Sequence, residues 1–111
     1  MLRPYLVHVL ECNGYRVIAA GDSDTALSMV ESFSEPIDLV ISDVLMPGKT
    51  GPELVRELLR SRPGIPALFI SGHPEGLLPR ISEQVTPRHL LQKPFSSADL
   101  LARVRQILTA A

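Results

Sequence analysis

Three side chains that can handle a phosphoryl group each stand at or just after the end of a short apolar run. Asp43 ends the run at residues 37–43 and is followed by Met46-Pro47-Gly48, and Ser71 ends the run at residues 67–71. Lys93 follows a third run and precedes Pro94. A carboxylate can act as a nucleophile toward phosphorus or as a ligand for a hard cation. An acid, a hydroxyl and an amine at three successive run ends therefore indicate phosphoryl chemistry.

The runs that carry these residues have the character of buried parallel strands. Each is short, aliphatic or β-branched, and closed by Pro or Gly. In open α/β sheets, ligands bind in the loops at the carboxyl ends of the strands. A further short strand is predicted at residues 16–20, and Pro66 is expected to open the strand that ends at Ser71.

Helical patterns alternate with these strands and predict a parallel α/β sheet covered on both faces. A first helix is expected to stop at Gly14, a second to begin at Asp22 or Ser23 and run to about residue 33, and a third to start near Pro52. Ser96, with Asp99 three residues later, is expected to cap the last helix. Residues 73–87 contain several prolines, which predict a short or distorted helix.

Five motifs in order resemble the receiver domain of bacterial two-component response regulators. They are the Gly14-Tyr15-Arg16-Val17 turn, Asp43 with Met46-Pro47-Gly48, Gly51, Ser71-Gly72 and Lys93-Pro94-Phe95. The resemblance covers nearly all of the 111 residues and implies one domain, residues 1–111, with a flavodoxin-like, doubly wound parallel sheet. Receivers begin with a strand that ends in an acidic pair. The chain begins inside the first helix, so we expect a domain incomplete at its N-terminus and lacking that first strand.

The resemblance implies a role for each chemical side chain. Asp43 matches the phosphoacceptor, Lys93 the lysine that pairs with it, and Ser71 the hydroxyl that bonds the phosphoryl group. Pro94 matches the proline whose bond to the lysine is often cis in the family. Without the resemblance, the three side chains would be read as a turn aspartate, a surface amine and a strand-ending serine.

The same resemblance implies a Mg²⁺ site and a switch. Its ligands would be the Asp43 carboxylate and the Leu45 backbone carbonyl, and without the acidic pair we expect weak binding. Asp22 and Asp24 are interpreted as helix-start residues instead of ligands. Leu90 stands where the family has its aromatic switch residue, and a leucine can pack but cannot make the same ring movement.

The absent strand leaves three structural outcomes open. In the flavodoxin-like order the first strand is central, and its loss leaves backbone groups unpaired. The strand at residues 16–20 could pair with the strand of Asp43, another chain could fill the gap by self-association, or the product could fold poorly.

Composition narrows the remaining classes of function. The net charge is −1, with 11 basic and 12 acidic residues, and neither sign forms a block, so nucleic acid and membrane surfaces are not expected partners. The single Cys12 fits a reducing cytoplasm. A phosphatase is disfavoured because no Gly-rich phosphate loop is present. We therefore expect a non-enzymatic module that accepts a phosphoryl group from a histidine kinase or phosphotransfer protein. The alternatives are a phosphorylation-independent interaction module and a fragment of a hybrid sensor kinase.

Overall fold

The computed structural model describes residues 3–46, 49–72 and 89–109. In chain order, the elements are α1 (Arg3–Cys12), α2 (Ser23–Ser32), β1 (Val40–Asp43), β2 (Leu45–Met46), β3 (Lys49–Thr50), α3 (Gly51–Ser61), β4 (Ala67–Ser71), β5 (Leu90–Gln92) and α4 (Ser97–Thr109). No helix within these ranges is long and apolar enough to cross a membrane.

The main sheet is parallel and has the order β1-β4-β5 among the described strands. Val40 pairs with Ala67 at the start of β1, and Asp43 pairs with Ile70 at its end. On the other side of β4, Phe69 pairs with Leu90 and Ser71 with Gln92. The two residues of β2 and the two of β3 form a separate antiparallel hairpin between β1 and α3. The parallel arrangement confirms the predicted α/β class.

Both faces of the sheet are covered, and the central strand divides its side chains between them. Leu68 and Ile70 of β4 belong to a cluster with residues of α1 and α4. Phe69 lies between them in sequence and belongs to a second cluster with Val55 of α3 and Leu90 of β5. This alternation follows from the two-residue period of a strand, and all three side chains are at most 2% exposed.

Local signals place the helix ends where the sequence predicts them. The carboxylate of Asp22 accepts a hydrogen bond from the Thr25 backbone N–H at 2.7 Å and caps α2. Ser96 and Asp99 bond each other's backbone N–H groups at the start of α4. Gly14, just after α1, has φ of +89°, a left-handed conformation that glycine adopts without strain.

The strand predicted at residues 16–20 is wrong. The structure describes these residues, and they have no strand structure. They do not pair with β1, whose partner among the described strands is β4. Val17 instead packs, partly buried, against the cluster formed with α1 and α4, and Ile18 is 41% exposed. A strand requires a hydrogen-bonded neighbour, and the apolar pattern of the segment serves packing alone.

Two parts of the sequence interpretation lie outside the described residues. They are the helix expected within residues 73–87, and Pro47 with Gly48 from the loop after Asp43.

The start of α3 yields a stability prediction. Thr50 and Glu53 form a capping box, in which the Thr50 hydroxyl accepts the Glu53 N–H at 3.2 Å and Glu53 accepts the Thr50 N–H at 3.1 Å. Thr50→Ala removes the hydroxyl and should lower the free energy of unfolding by about 1 kcal/mol. Thr50→Ser keeps the acceptor and should be close to wild type. Urea denaturation measures both, and equal losses in the two variants would contradict the capping role.

Candidate functional site

The register of the sheet brings the ends of three strands to one edge. Asp43 ends β1, Ser71 ends β4, and Lys93 directly follows β5. The backbone N–H of Lys93 donates to the Ser71 carbonyl at 2.7 Å, so the chain leaves the sheet only after this last bond. The peptide between Lys93 and Pro94 is cis, as the resemblance leads one to expect. The acid, hydroxyl and amine predicted from the sequence therefore share one edge.

Asp43 and Lys93 form an ion pair across the central strand. Lys93 Nζ lies 3.6 Å from Asp43 Oδ1. The two side chains are 46% and 38% exposed, so each keeps contact with water and can be reached by an incoming group. Gly72 lies beside the lysine side chain, and a Cβ added there would be in ordinary van der Waals contact with Lys93 Cδ at 3.7 Å. The arrangement presents one carboxylate oxygen beside a positive charge.

Ser71 occupies the strand between these two residues and is only 3% exposed. Its position on β4 is fixed by pairing with Gln92 and by the bond from Lys93 to its carbonyl. The serine is thus fixed at the same edge of the sheet, at the end of the strand between those of the acid and the amine.

The oxygen donors near Asp43 suit a hard cation. The Asp43 carboxylate stands at the end of β1, and the Leu45 carbonyl belongs to β2, two residues later. Mg²⁺ commonly binds one or two carboxylates and completes its octahedral shell with waters and phosphate oxygens, so these two donors fit it. Within residues 3–46, 49–72 and 89–109, no group of three or more His, Cys, Asp or Glu side chains could hold a metal ion.

Asp22 and Asp24 serve the start of α2, as the sequence analysis proposed. Hydrogen bonds from the backbone and side chain of Thr25 lower the pKa of Asp22, because they stabilise its ionised form. Both residues are exposed, and Asp24 lies in the first turn of the helix. Their carboxylates are accounted for by helix capping and by the favourable position of negative charge at a helix N-terminus.

Leu90 is a core residue in this structure. It is 8% exposed and packs with Val44, Val55 and Phe69 on the α3 side of the sheet. The guanidinium of Arg103 on α4 donates a hydrogen bond to its backbone carbonyl. The leucine therefore fills space, as its apolar side chain suggested.

Two contacts at the end of β1 were not anticipated from the sequence. Ser42 is buried, and its hydroxyl donates to the carbonyl of Asp43 at 3.0 Å. Gly51 approaches so closely that an added Cβ would lie 2.1 Å from the same carbonyl oxygen. A serine inside an apolar run was the available signal for the first contact. The second depends on how the β2–β3 hairpin folds back, which no local pattern indicates.

Comparison with known proteins agrees with this architecture. The family model described as the response regulator receiver domain matches residues 1–105. The chain is 36% identical over 102 residues to the sensor kinase CckA of Brucella abortus, and 31% identical over 110 residues to the response regulator receiver protein CpdR of the same organism. The alignments cover 92% and 99% of this chain, but 11% of CckA and 90% of CpdR. It thus spans a small part of one relative and most of the other.

A solved structure gives the same result in three dimensions. The crystal structure of the receiver domain from the hybrid histidine kinase CckA has a TM-score of 0.77 and 36% identity, covering 96% of this chain and 89% of that one. The chain belongs to the response regulator receiver domain family, and its fold is the flavodoxin-like receiver fold expected from the resemblance. Such domains are regulatory modules, and the similarity is consistent with a phosphoacceptor in two-component signalling.

The exposure of the ion pair yields a prediction about stability. Half-exposed pairs are screened by water and contribute about 0–1 kcal/mol. Lys93→Gln should therefore change the free energy of unfolding by less than about 1 kcal/mol in urea denaturation. Val104→Ala, which truncates a side chain 1% exposed in α4, provides the contrast and should be clearly destabilised. A loss in Lys93→Gln as large as in Val104→Ala would show that the pair is structural.

Proposed function

We propose that residues 1–111 form one phosphoacceptor receiver unit in which Asp43 accepts a phosphoryl group. The observation that carries the proposal is the 3.6 Å approach of Lys93 Nζ to Asp43 Oδ1 at the carboxyl edge of the sheet. The two residues of this contact come from the ends of β1 and β5, which lie on either side of β4, and the carboxylate stays accessible. An aspartate that only starts a turn would need neither the contact with Lys93 nor an accessible carboxylate.

In the reaction, an Asp43 carboxylate oxygen attacks phosphorus in line with the leaving group. The new P–O bond forms as the P–N bond of a phosphohistidine breaks, and the electron pair of that bond stays with the imidazole nitrogen. Lys93 then shifts from the carboxylate toward the phosphoryl oxygens, where its charge offsets theirs. Ser71 donates its hydroxyl to the same group, and Pro94 holds the chain where Lys93 emerges.

Mg²⁺ bound by the Asp43 carboxylate and the Leu45 carbonyl would supply positive charge to the phosphoryl oxygens. The chain's own part is to present two oxygen donors from neighbouring elements, β1 and β2. Waters and phosphoryl oxygens would supply the remaining ligands.

The donor in this proposal is a histidine kinase or a phosphotransfer protein in the cytoplasm. The relatives support this donor, since one is named a sensor kinase and another a response regulator receiver protein. The module itself is not an enzyme with a separate substrate; its output is the altered charge at the edge that carries Ser71 and Lys93.

The assignment of Asp43 is tested by substitution. Wild-type protein treated with acetyl phosphate and magnesium chloride should gain the mass of one phosphoryl group in intact-protein mass spectrometry. Asp43→Asn removes the nucleophilic oxygen and should gain none. Asp38→Asn is the matched control, because Asp38 is exposed and precedes β1.

The outcomes separate the competing functions. A phosphoryl group on the Asp43→Asn protein would overturn the assignment. An unmodified wild-type protein that still binds its partner would instead favour a phosphorylation-independent interaction module. Modification of wild type and Asp38→Asn, but not of Asp43→Asn, supports the phosphoacceptor.

Removal of the metal gives an independent prediction. Excess EDTA should reduce the rate of phosphorylation at least tenfold, because the phosphoryl charge would lose its divalent counter-ion. Restoring magnesium chloride should recover the rate, whereas potassium chloride of equal ionic strength should not. A rate insensitive to EDTA would show that Lys93 and Ser71 suffice without a cation.

A further inference from the structure

Ser42 is the only polar residue between Val40 and Asp43, and it is buried near the end of β1. Successive side chains of a strand point to opposite faces of the sheet. Ser42 is in register with Phe69, whereas Asp43 is in register with Ile70, and these two partners belong to cores on opposite faces. The Ser42 side chain is also 8% exposed. Its hydroxyl is bonded to the Asp43 carbonyl, so we argue its influence on the site through the backbone.

The backbone in question is the peptide between Asp43 and Val44, which is held from several sides. Its N–H donates to the Ile70 carbonyl at 2.9 Å, and its carbonyl accepts the Ser42 hydroxyl at 3.0 Å. The following carbonyl, that of Val44, accepts the Gly51 N–H at 2.7 Å. The chain leaves β1 at this point. Three hydrogen bonds hold it there, two to the Asp43–Val44 peptide and one to the carbonyl of Val44.

The hydrogen bond from Ser42 supplies a donor to a carbonyl that cannot bond to β4. In a trans peptide the C=O points opposite to the N–H, so a peptide whose N–H bonds to β4 turns its carbonyl away from β4. The Asp43 carbonyl thus cannot join the ladder with β4, and enclosed carbonyls require a donor. Gly51 lies against this oxygen, at 2.1 Å from an added Cβ, and that same Cβ would lie 3.0 Å from Ser42 Oγ. The Ser42 hydroxyl, the Asp43 carbonyl and Gly51 therefore pack directly against one another.

We propose that Ser42 is a positioning residue for the phosphoacceptor. Its hydroxyl holds the Asp43 carbonyl against Gly51, which sets the rotation of the Asp43–Val44 peptide. That rotation sets the path of the chain after Asp43, and with it the position of the Leu45 carbonyl, two residues later, relative to the Asp43 carboxylate. The inference rests on the proposed function of Asp43 and adds a residue, outside the site itself, that determines how well the site is aligned.

The physical consequence is a loss of alignment when the hydroxyl is removed. Ser42→Ala deletes one atom and removes the hydroxyl donor of the Asp43 carbonyl, so the peptide keeps its Val44 N–H bond to Ile70 but can shift toward the space that the hydroxyl vacates. A displacement of about 1 Å at a reacting group can reduce a rate by about a hundredfold, so a partial displacement should reduce it by roughly tenfold. Gly51→Ala would place a Cβ 2.1 Å from the same oxygen, which must then move, and should impair the same step.

The test measures a phosphoryl analogue bound to the intact chain as well as the reaction. Beryllofluoride with magnesium chloride is titrated into wild type, Ser42→Ala and Ser42→Thr and followed by ¹⁹F NMR, and acetyl phosphate rates are measured alongside. We expect Ser42→Ala to lose roughly tenfold in both affinity and rate. Ser42→Thr keeps the hydroxyl and should retain more of both. Ser28→Ala, at an exposed serine of α2, is the control and should match wild type.

The outcomes distinguish positioning from packing. If Ser42→Ala unfolds more easily but binds beryllofluoride and reacts like wild type while folded, the serine is only structural and the inference is overturned. Equal losses in the alanine and threonine variants also overturn it, because the hydroxyl would then not matter. Should Ser42→Ala fail to fold, Ser42→Cys replaces it, with similar volume and a weaker donor. Wild type that neither binds nor reacts contradicts the proposed function itself, a separate result.

Discussion

The parallel register of three strands is the constraint on which the site depends. Asp43 pairs with Ile70 and Ser71 with Gln92, so β1, β4 and β5 end at nearly the same level. A slip of one residue in β1 would move Asp43 to the opposite face of the sheet and separate it from Lys93. The slip is opposed by the core, because Leu68 and Ile70 pack on one face and Phe69 on the other. Burial far from the edge therefore decides which chemical groups meet at the edge.

Stability and chemistry are assigned to different residues. The ion pair at the edge is half exposed, and such pairs add little to the free energy of unfolding. The buried clusters contain the large apolar side chains, each worth about 1.5–3 kcal/mol when removed from water. Asp43 and Lys93 are consequently not needed to hold the fold. Their side chains can rearrange when a charged group arrives, while the strands that carry them stay in place.

The sequence predicted features that depend on neighbouring residues and missed those that depend on distant ones. The caps at Asp22 and Ser96 and the end of α1 near Gly14 follow from local patterns, and the structure confirms them. The strand at residues 16–20 was wrong because strand formation requires a partner, and the apolar pattern of a packed segment is the same with or without one. Asp43 and Lys93 could be paired in advance only through the family resemblance, since composition does not reveal which strand ends are adjacent. The closeness of Gly51 to the Asp43 carbonyl could not be predicted, because it arises from the hairpin between them.

The same hairpin joins the chemical edge to the core beneath it. Val44 follows Asp43 directly, is 1% exposed, and packs in one cluster with Phe69 and Leu90. Its N–H and carbonyl are bonded to Ile70 and Gly51, so the Asp43–Val44 peptide cannot rotate without disturbing either those bonds or that cluster. Close-packed interiors resist small displacements and transmit them to their neighbours. Leu90, where an aromatic residue would act by turning a ring, instead lies inside this cluster, and its carbonyl is bonded to Arg103 of α4. Val44 and Leu90 therefore connect the end of β1 to β5 within one packed cluster, and the hydrogen bond from Arg103 extends that connection to α4.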